Sequence, residues 1–144
     1  FTDRHDRNLL LQIELKDCMS KFSPRVNLHS DGLAVVNRFR NTSKNTIAVV
    51  DDDQTFCGII TREDLLPYLS GEEDPEDLSL EKVAIRPAAI ITKDENAIQV
   101  MRKLDDANVW QLPVVGDKGE FIGFVNKSEI LSKYRTLLVE YSTS

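Results

Sequence analysis

The sequence is poor in residues that carry redox or metal chemistry. Its two cysteines, Cys18 and Cys57, stand far apart among apolar residues, so they indicate buried free thiols in a reducing cytosol and not a disulfide or a CxxC pair. The two histidines, His5 and His29, are also separated, and we expect no metal site. Apolar runs stay far below the roughly 18 residues that cross a bilayer, so we expect no membrane span.

Basic residues are outnumbered by acidic ones. The chain has 18 lysines and arginines against 24 aspartates and glutamates, which gives a formal net charge of −6. Most of this excess lies in one acidic stretch at residues 72–77, and the rest of the chain is close to neutral. No basic stripe is available to release counterions from a phosphate backbone, so we expect no nucleic-acid partner.

Catalytic residue sets are absent as well. We find no Gly-rich phosphate loop, no Ser/His/Asp set and no pair of carboxylates that the sequence pattern places in a pocket. We therefore expect that the chain is not an enzyme. Apolar residues make up 41% and charged residues 29% of the 144 residues, which is typical of a soluble globular protein. Because the chain starts at Phe1 and not at Met, we expect a piece of a longer protein.

An internal repeat is the strongest positive feature. The phrase "GIITREDLL" begins at Gly58, and "GFVNKSEIL" begins 65 positions later at Gly123. The same shift aligns Leu15–Leu69 with Leu80–Tyr134 without a gap, and the apolar positions agree much better than the identities. A polarity pattern that is kept over a whole repeat predicts the same secondary structure twice.

Each copy is predicted to form a lead-in strand, a helix, two strands and a second helix. In the first copy Ser30 or Asp31 caps the helix, and "TIAVV" and "FCGII" form the strands around a polar turn. One copy of about 55 residues would bury too little surface to be stable, so we expect two copies packed sheet to sheet about a pseudo-twofold axis. We predict an α/β (α+β) fold with a first repeat and its lead-in at residues 1–70, a solvated acidic linker at 71–79, and a second repeat with a tail at 80–144.

Several motifs carry a resemblance to a known family. They are the strands "TIAVV" (Thr46–Val50) and "QLPVV" (Gln111–Val115), the G-x-x-T-x-x-D element that starts at Gly58, and the opening "LKDCM" (Leu15–Met19). Each copy resembles a CBS domain, the cystathionine-β-synthase repeat, and two in tandem resemble a CBS pair or Bateman module. The resemblance covers nearly the whole chain. It implies a regulatory module that dimerises through its helices.

A narrower resemblance lies in Leu104–Leu138. "DDANVWQLPVV", "GFVNKSEIL" and "SKYR" are similar to the second CBS repeat in the cytosolic C-terminal region of CLC chloride channels and transporters. This resemblance implies a module on the cytoplasmic side of a membrane, with a transmembrane CLC domain in cis, that modulates a chloride channel or a chloride/proton antiporter. The alternative is a nucleotide-sensing CBS pair attached to another transporter, for example of Mg²⁺, or to a soluble enzyme.

The resemblance also implies adenine nucleotides as regulatory ligands, such as ATP, ADP or AMP. In the family the acid of the G-x-x-T-x-x-D element bonds the ribose and the Thr lies near the phosphates, where a helix N-terminus favours anions. Only a few bases, Arg62, Arg86 and Lys127, lie near such places, which does not favour tight ATP binding. The candidate site residues are Thr61, Asp64, Trp110 and Gln111 for one cleft, and Asn126, Glu129, Asn45 and Thr46 for the other.

Structural alternatives exist for these candidates. Thr61-x-x-Asp64 and Asn126-x-x-Glu129 are also capping boxes, which would persist without any ligand. Glu129 is one methylene longer than the family's Asp and would crowd a ribose. Trp110 fits either an adenine stacker or a partly buried packing residue. The aspartates at 51–53 fit a polar turn better than a cation site, which needs about six oxygens.

Overall fold

The structure of the protein is a computed structural model that describes residues 4–142. Within these residues the strands are β1 (Arg25–Asn27), β2 (Thr46–Val50), β3 (Phe56–Thr61), β4 (Ile91–Thr92), β5 (Gln111–Val115) and β6 (Phe121–Asn126). The α-helices are α1 (Arg4–Leu10), α2 (Gly32–Arg40), α3 (Leu66–Leu69), α4 (Leu80–Val83), α5 (Ala97–Ala107) and α6 (Lys127–Ser142). Single 3-10 turns cover Leu15–Cys18, Glu63–Leu65 and Pro75–Asp77. None of the described helices is both long enough and apolar enough to cross a membrane.

The described chain folds as two compact units. The β1–β3 unit contains Ser23–Pro87 together with the turn Lys118–Phe121, and the β4–β6 unit contains residues 4–22, 88–117 and 122–142. Each unit is built around a three-stranded sheet, in the order β1-β2-β3 in one and β4-β5-β6 in the other. The two matching sheets confirm the predicted mixed α/β fold, with the same order of strands and helices in both repeats.

The β1–β3 unit forms as its sequence pattern predicts. Strand β1 runs parallel to β2, and β2 pairs antiparallel with β3. Helix α2 follows Asp31, whose carboxylate accepts the Ala34 N–H at 2.8 Å, so the predicted N-cap is confirmed. Apolar residues of α2, of the strands and of the following segments form one core, which consists of Val35, Val36, Phe39, Ile47, Val49, Ile60, Leu65, Leu78 and Leu80.

The three aspartates between β2 and β3 build the turn that joins the strands. The Asp51 carboxylate accepts the backbone N–H groups of Asp53 and Thr55, both at 2.9 Å. The Asp52 carboxylate accepts the side-chain amide of Asn27 at 2.8 Å. These carboxylate oxygens are therefore engaged in shaping the turn, as the polar-turn interpretation predicts.

The β4–β6 unit has a helix with well-defined ends. Strand β4 runs parallel to β5, and β6 is the neighbour of β5. Helix α5 starts with a capping box, in which Asn96 and Gln99 each accept the other's backbone N–H at 2.9 Å. It ends at Asn108, which has a left-handed backbone with φ 54. The core consists of Leu10, Ile13, Cys18, Ile91, Ala97, Val100, Met101, Leu104, Leu112, Val114, Val125 and Ile130.

The segments that lead into the repeats are exchanged between the two units. Leu10 and Cys18, which precede the first repeat's strands, lie in the core of the β4–β6 unit. Leu80, which precedes the strands of the second repeat, lies in the core of the β1–β3 unit. The sequence prediction places the first lead-in with residues 1–70 instead. An apolar pattern shows that a side chain is buried but not which sheet covers it, so the exchange lies outside what the pattern can predict.

The acidic linker at residues 71–79 is only partly solvated. Its acidic side chains are exposed, but Leu78 is buried with 8% of its surface accessible. The 3-10 turn of the linker lies so close to α2 that a Cβ atom on Gly32 would stand 1.8 Å from the carbonyl oxygen of Pro75. The acidic side chains are thus exposed, as like charges require, while the glycine allows the linker backbone to dock on the start of α2.

The second helix that is predicted for the first repeat, after β3, is much shorter than its counterpart in the second repeat. Glu63–Leu65 form a 3-10 turn, in which the Leu66 N–H donates to the Glu63 carbonyl, and α3 adds four residues. Pro67 has no N–H to donate to Glu63, so an α-helical bond cannot form there. The second copy has Ser132 at this position, and α6 runs for 16 residues.

Candidate functional site

The junction at the end of β3 holds the first pair of predicted site residues. The Thr61 hydroxyl donates to Asp64 Oδ2 at 2.8 Å and accepts the Asp64 backbone N–H at 3.2 Å. The pair therefore caps the 3-10 turn, although the carboxylate binds the hydroxyl of Thr61 where a capping box would use its backbone N–H. Asp64 is exposed, and the cap uses one oxygen of its carboxylate, Oδ2.

The entry of β2 lies beside this junction. Thr46 pairs with Thr61 in the sheet register, and the Asn45 carbonyl accepts the Arg62 backbone N–H at 2.8 Å. An open cleft of about 450 Å³ forms here. Its lining residues, all from the β1–β3 unit, are Asn45, Thr46, Thr61, Arg62, Glu63 and Leu66.

Arg62 is a structural clamp that the sequence did not reveal. Its Nη1 donates to the Phe39 carbonyl at 3.0 Å, and its Nη2 donates to the carbonyls of Thr42 and Lys44, both at 2.8 Å. Its Nε donates to Asn45 Oδ1 at 3.2 Å, and the guanidinium carbon lies 5.3 Å from the centre of the Phe39 ring. The side chain thus ties the end of α2 and the loop after it to the entry of β2.

No sequence motif marks this clamp, and the end of α2 in the structure explains it. Helix α2 ends at Asn41 with φ −102, outside the left-handed region; the Asn41 N–H reaches the Asn37 and Arg38 carbonyls, and the Phe39 carbonyl has a long 3.5 Å contact from the Thr42 N–H. A cationic side chain with several donors can bind such a carbonyl together with those of the loop that follows, and Arg62 follows the strand that lies next to this helix end.

The second junction, at the end of β6, uses different contacts. The Asn126 side chain accepts the Ser128 N–H at 2.7 Å, two residues on, whereas a capping box would have it accept from Glu129. The Lys127 N–H donates to the Trp110 carbonyl at 2.8 Å. The Lys127 ammonium pairs with Asp105 at 2.6 Å and lies 5.2 Å from the centre of the Trp110 ring.

Trp110 and Glu129 are both accessible. Trp110 has 61% of its surface exposed, so its interpretation as a partly buried packing residue is wrong. Its ring carries the Lys127 ammonium on one face instead. Glu129 is exposed in the first turn of α6, and Gln111 opens β5 directly after Trp110.

Within each unit the structure joins a strand entry to a strand end of the same repeat. Asn45, Thr46 and Thr61 line the same cleft. Lys127, which follows Asn126, donates its backbone N–H to the Trp110 carbonyl. The two predicted clefts combine these segments across the repeats instead. That combination stays a prediction.

The two thiols have the properties of structural cysteines. Burial raises the pKa of the Cys18 thiol to about 11, and it also raises the pKa of the Cys57 thiol. Cys18 has 1% of its surface exposed. Both thiols are protonated at neutral pH and are poor nucleophiles there.

Comparisons with known proteins agree with the repeat and the fold. A homoserine O-acetyltransferase of Methanosphaera stadtmanae is 25% identical over 127 residues, which are 88% of this chain and 25% of that protein. The chain therefore spans about a quarter of that relative.

Two solved structures share the fold. The crystal structure of CbpB in complex with c-di-AMP superposes with a TM-score of 0.78 at 16% identity, over 96% of this chain and 95% of that one. A CBS domain pair in complex with 5′-methylthioadenosine and S-adenosyl-L-methionine gives 0.66 at 22% identity, over 86% and 97%. The family model of the CBS domain matches residues 15–71 and again 80–136. The chain belongs to the CBS domain family and carries two CBS repeats in tandem.

Proposed function

We propose that this CBS pair is a regulatory module that binds an adenine nucleotide or nucleoside in the cleft of the β1–β3 unit. The observation that carries the proposal is the cleft of about 450 Å³ beside Thr61, where a strand entry and a capped strand end meet. The ligands of the two structural neighbours, c-di-AMP in one and 5′-methylthioadenosine with S-adenosyl-L-methionine in the other, all contain adenosine, which supports this ligand class.

Asp64 is not among the lining residues, but it follows Glu63 and bonds to Thr61, which both line the cleft, and we expect it to hold the ribose. A carboxylate has two oxygens with about four acceptor sites, and the Thr61 hydroxyl occupies one of them. The remaining sites can accept two ribose hydroxyls without breaking the cap. Asn45 and Thr46 also line the cleft, and their backbone and side chains can form hydrogen bonds with the edge of an adenine ring.

Calorimetric titration of the chain with adenosine, AMP, ADP and ATP tests the proposal. Asp64→Asn keeps the size of the side chain and an acceptor for Thr61 but removes the charge, and we expect a loss of at least about tenfold in affinity. Glu129→Gln is the matched control in the other repeat and should change the affinity much less. No heat with any of these ligands at millimolar concentration would overturn the proposal and leave helix capping as the role of Thr61 and Asp64.

The protein that the module regulates is a second part of the proposal. We propose a CLC-type chloride channel or chloride/proton antiporter, with the module on the cytoplasmic side and dimerising through its helices. The motifs in Leu104–Leu138 favour this assignment, and it rests on them alone because no relative reported above is a chloride channel. Ligand binding would change transport by a coupling free energy between the cleft and the pore.

An attachment to a soluble enzyme is the competing assignment. The relative of which this chain spans a quarter is an acetyltransferase, so CBS pairs of this kind do occur beside enzymes. We propose that the module has no catalytic activity of its own in either case. The domains of the full-length protein distinguish the two: CLC pore motifs would support the channel, and a catalytic domain in their place would overturn it.

A further inference from the structure

The cleft of the β1–β3 unit has little positive charge to offer to a phosphate group. Among the described residues that line it, Arg62 is the single cation, and Glu63 adds an exposed carboxylate. The carboxylate of Asp64, which binds the Thr61 hydroxyl, lies at the same turn. The formal charge of this turn is therefore negative.

Arg62 is already committed to other acceptors. Four of its N–H···O contacts, three to backbone carbonyls and one to a side-chain carbonyl, lie between 2.8 and 3.2 Å. A guanidinium has five N–H donors, so about one is left. A phosphate could recruit Arg62 only by taking it from the end of α2, where the carbonyls would lose their partner.

The helix after the cleft adds little attraction for anions. It consists of the 3-10 turn Glu63–Leu65 and the four residues of α3, because Pro67 interrupts it. Such a short helix has few aligned peptide dipoles. Its first turn also carries two acids, Glu63 and Asp64, which oppose a further negative charge.

We infer that this cleft selects adenine ligands of low phosphate charge, and that Arg62 contributes to this selectivity by being held in the clamp. The ligand class is an adenine nucleoside, including thioether or sulfonium nucleosides, in preference to a nucleoside di- or triphosphate. The inference rests on the proposed function, since it specifies the ligand of the same cleft.

The test compares adenosine, 5′-methylthioadenosine, AMP, ADP and ATP by calorimetry at one ionic strength and without Mg²⁺. We expect the affinity to fall from adenosine to ATP, by at least about tenfold in total. Glu63→Lys places a positive charge on the cleft, and it should raise the affinity for ATP relative to adenosine several-fold. Glu81→Lys makes the same charge change on α4, outside the cleft lining, and should leave this ratio unchanged.

A variant of the clamp completes the test. Arg62→Lys keeps the charge but removes the guanidinium that binds the carbonyls, so the released ammonium should raise the affinity for ATP relative to adenosine several-fold. ATP binding as tightly as adenosine in the unchanged protein, or a ratio of ATP to adenosine affinity that does not rise in this variant, would overturn the inference while the proposed function stands. Absence of binding for all five ligands would overturn both.

Discussion

The two units place different cations at the same position of the repeat. In the β1–β3 unit Arg62 donates to three backbone carbonyls around the end of α2. In the β4–β6 unit the equivalent residue, 65 positions later, is Lys127, which pairs with Asp105 and covers the Trp110 ring. The planar guanidinium of Arg has five N–H donors and can bind several acceptors at once, whereas the ammonium of Lys acts as a compact charge.

The helix ends explain this difference. Helix α5 ends at the left-handed Asn108, and the Val109 N–H then reaches back to the Leu104 carbonyl at 3.1 Å. Its last carbonyls are thus satisfied by backbone. Helix α2 ends at Asn41 with φ −102, and its N–H reaches the Asn37 and Arg38 carbonyls. Arg62 adds donors to the carbonyl of Phe39 and to two carbonyls of the loop that follows. The cation after the last strand is thus structural in both units, but it binds backbone carbonyls in the β1–β3 unit and side chains in the β4–β6 unit.

Loss of the clamp should produce the largest change in stability. Arg62→Ala leaves several carbonyls without a donor, and we expect it to lower the free energy of unfolding by about 3 kcal/mol. Lys127→Ala removes one ion pair and a ring contact, and should cost at most about 1 kcal/mol. Urea unfolding of the two variants measures both values. Equal losses would show that the two cations have the same role.

A methyl group at the start of α2 should have the next largest effect. Gly32→Ala drives a Cβ atom into the Pro75 carbonyl, so it must displace the linker, and we expect a loss of about 2 kcal/mol. The second repeat has Ala97 at this position, and Ala97→Gly should cost about 1 kcal/mol for its helix propensity and lost burial. Thermal unfolding of the two variants measures both losses of stability. A neutral Gly32→Ala would contradict a docked linker.

The helix ends themselves can be tested by a pair of matched substitutions. Asn108→Ala puts alanine at φ 54, and we expect it to destabilise the protein by about 1 kcal/mol. Asn41→Ala places the same residue at φ −102, where it fits, and should change the stability by less than about 0.5 kcal/mol. Chemical unfolding of the two variants measures both changes in stability. The reverse order would refute the account of how α2 and α5 end.

The smallest expected effect is a loss of stability at alkaline pH. The folded state raises the pKa of Cys18, so the unfolded chain releases the thiol proton first as pH rises, and stability falls from about pH 9 towards pH 11. At pH 9.5 we expect a loss below about 1 kcal/mol. Cys18→Val copies Val83, its counterpart in the other repeat, and should remove this part of the pH dependence. An unchanged pH profile in this variant would contradict the assignment.

Local features of the fold could be predicted from the sequence, and the exchange of segments could not. The repeat, the hairpins and the Asp31 cap follow from periodicity and turn chemistry within a few residues. The break in the helix at Pro67 could also be predicted from the sequence, because the backbone of a proline donates no hydrogen bond. The packing of Leu10 in the β4–β6 core depends on contacts distant in sequence, which no local pattern specifies.

The candidate site was predicted in part for the same reason. Thr61 and Asp64 could be predicted because their spacing is typical of a helix cap and also matches the family motif. In the structure their side chains form a hydrogen bond with each other. Arg62 was interpreted as a base near a phosphate, since its sequence neighbours do not reveal that the end of α2 lacks a left-handed cap. Whether a long side chain binds a ligand or the protein itself depends on acceptors elsewhere in the fold.

The central claim is that an adenosine-type ligand binds in the cleft of the β1–β3 unit. The most direct measurement is an amide chemical-shift titration of the chain with adenosine. The account predicts saturable shifts at Asn45, Thr46, Thr61 and Glu63, which line the cleft. The absence of shifts at these residues under saturating adenosine would contradict it.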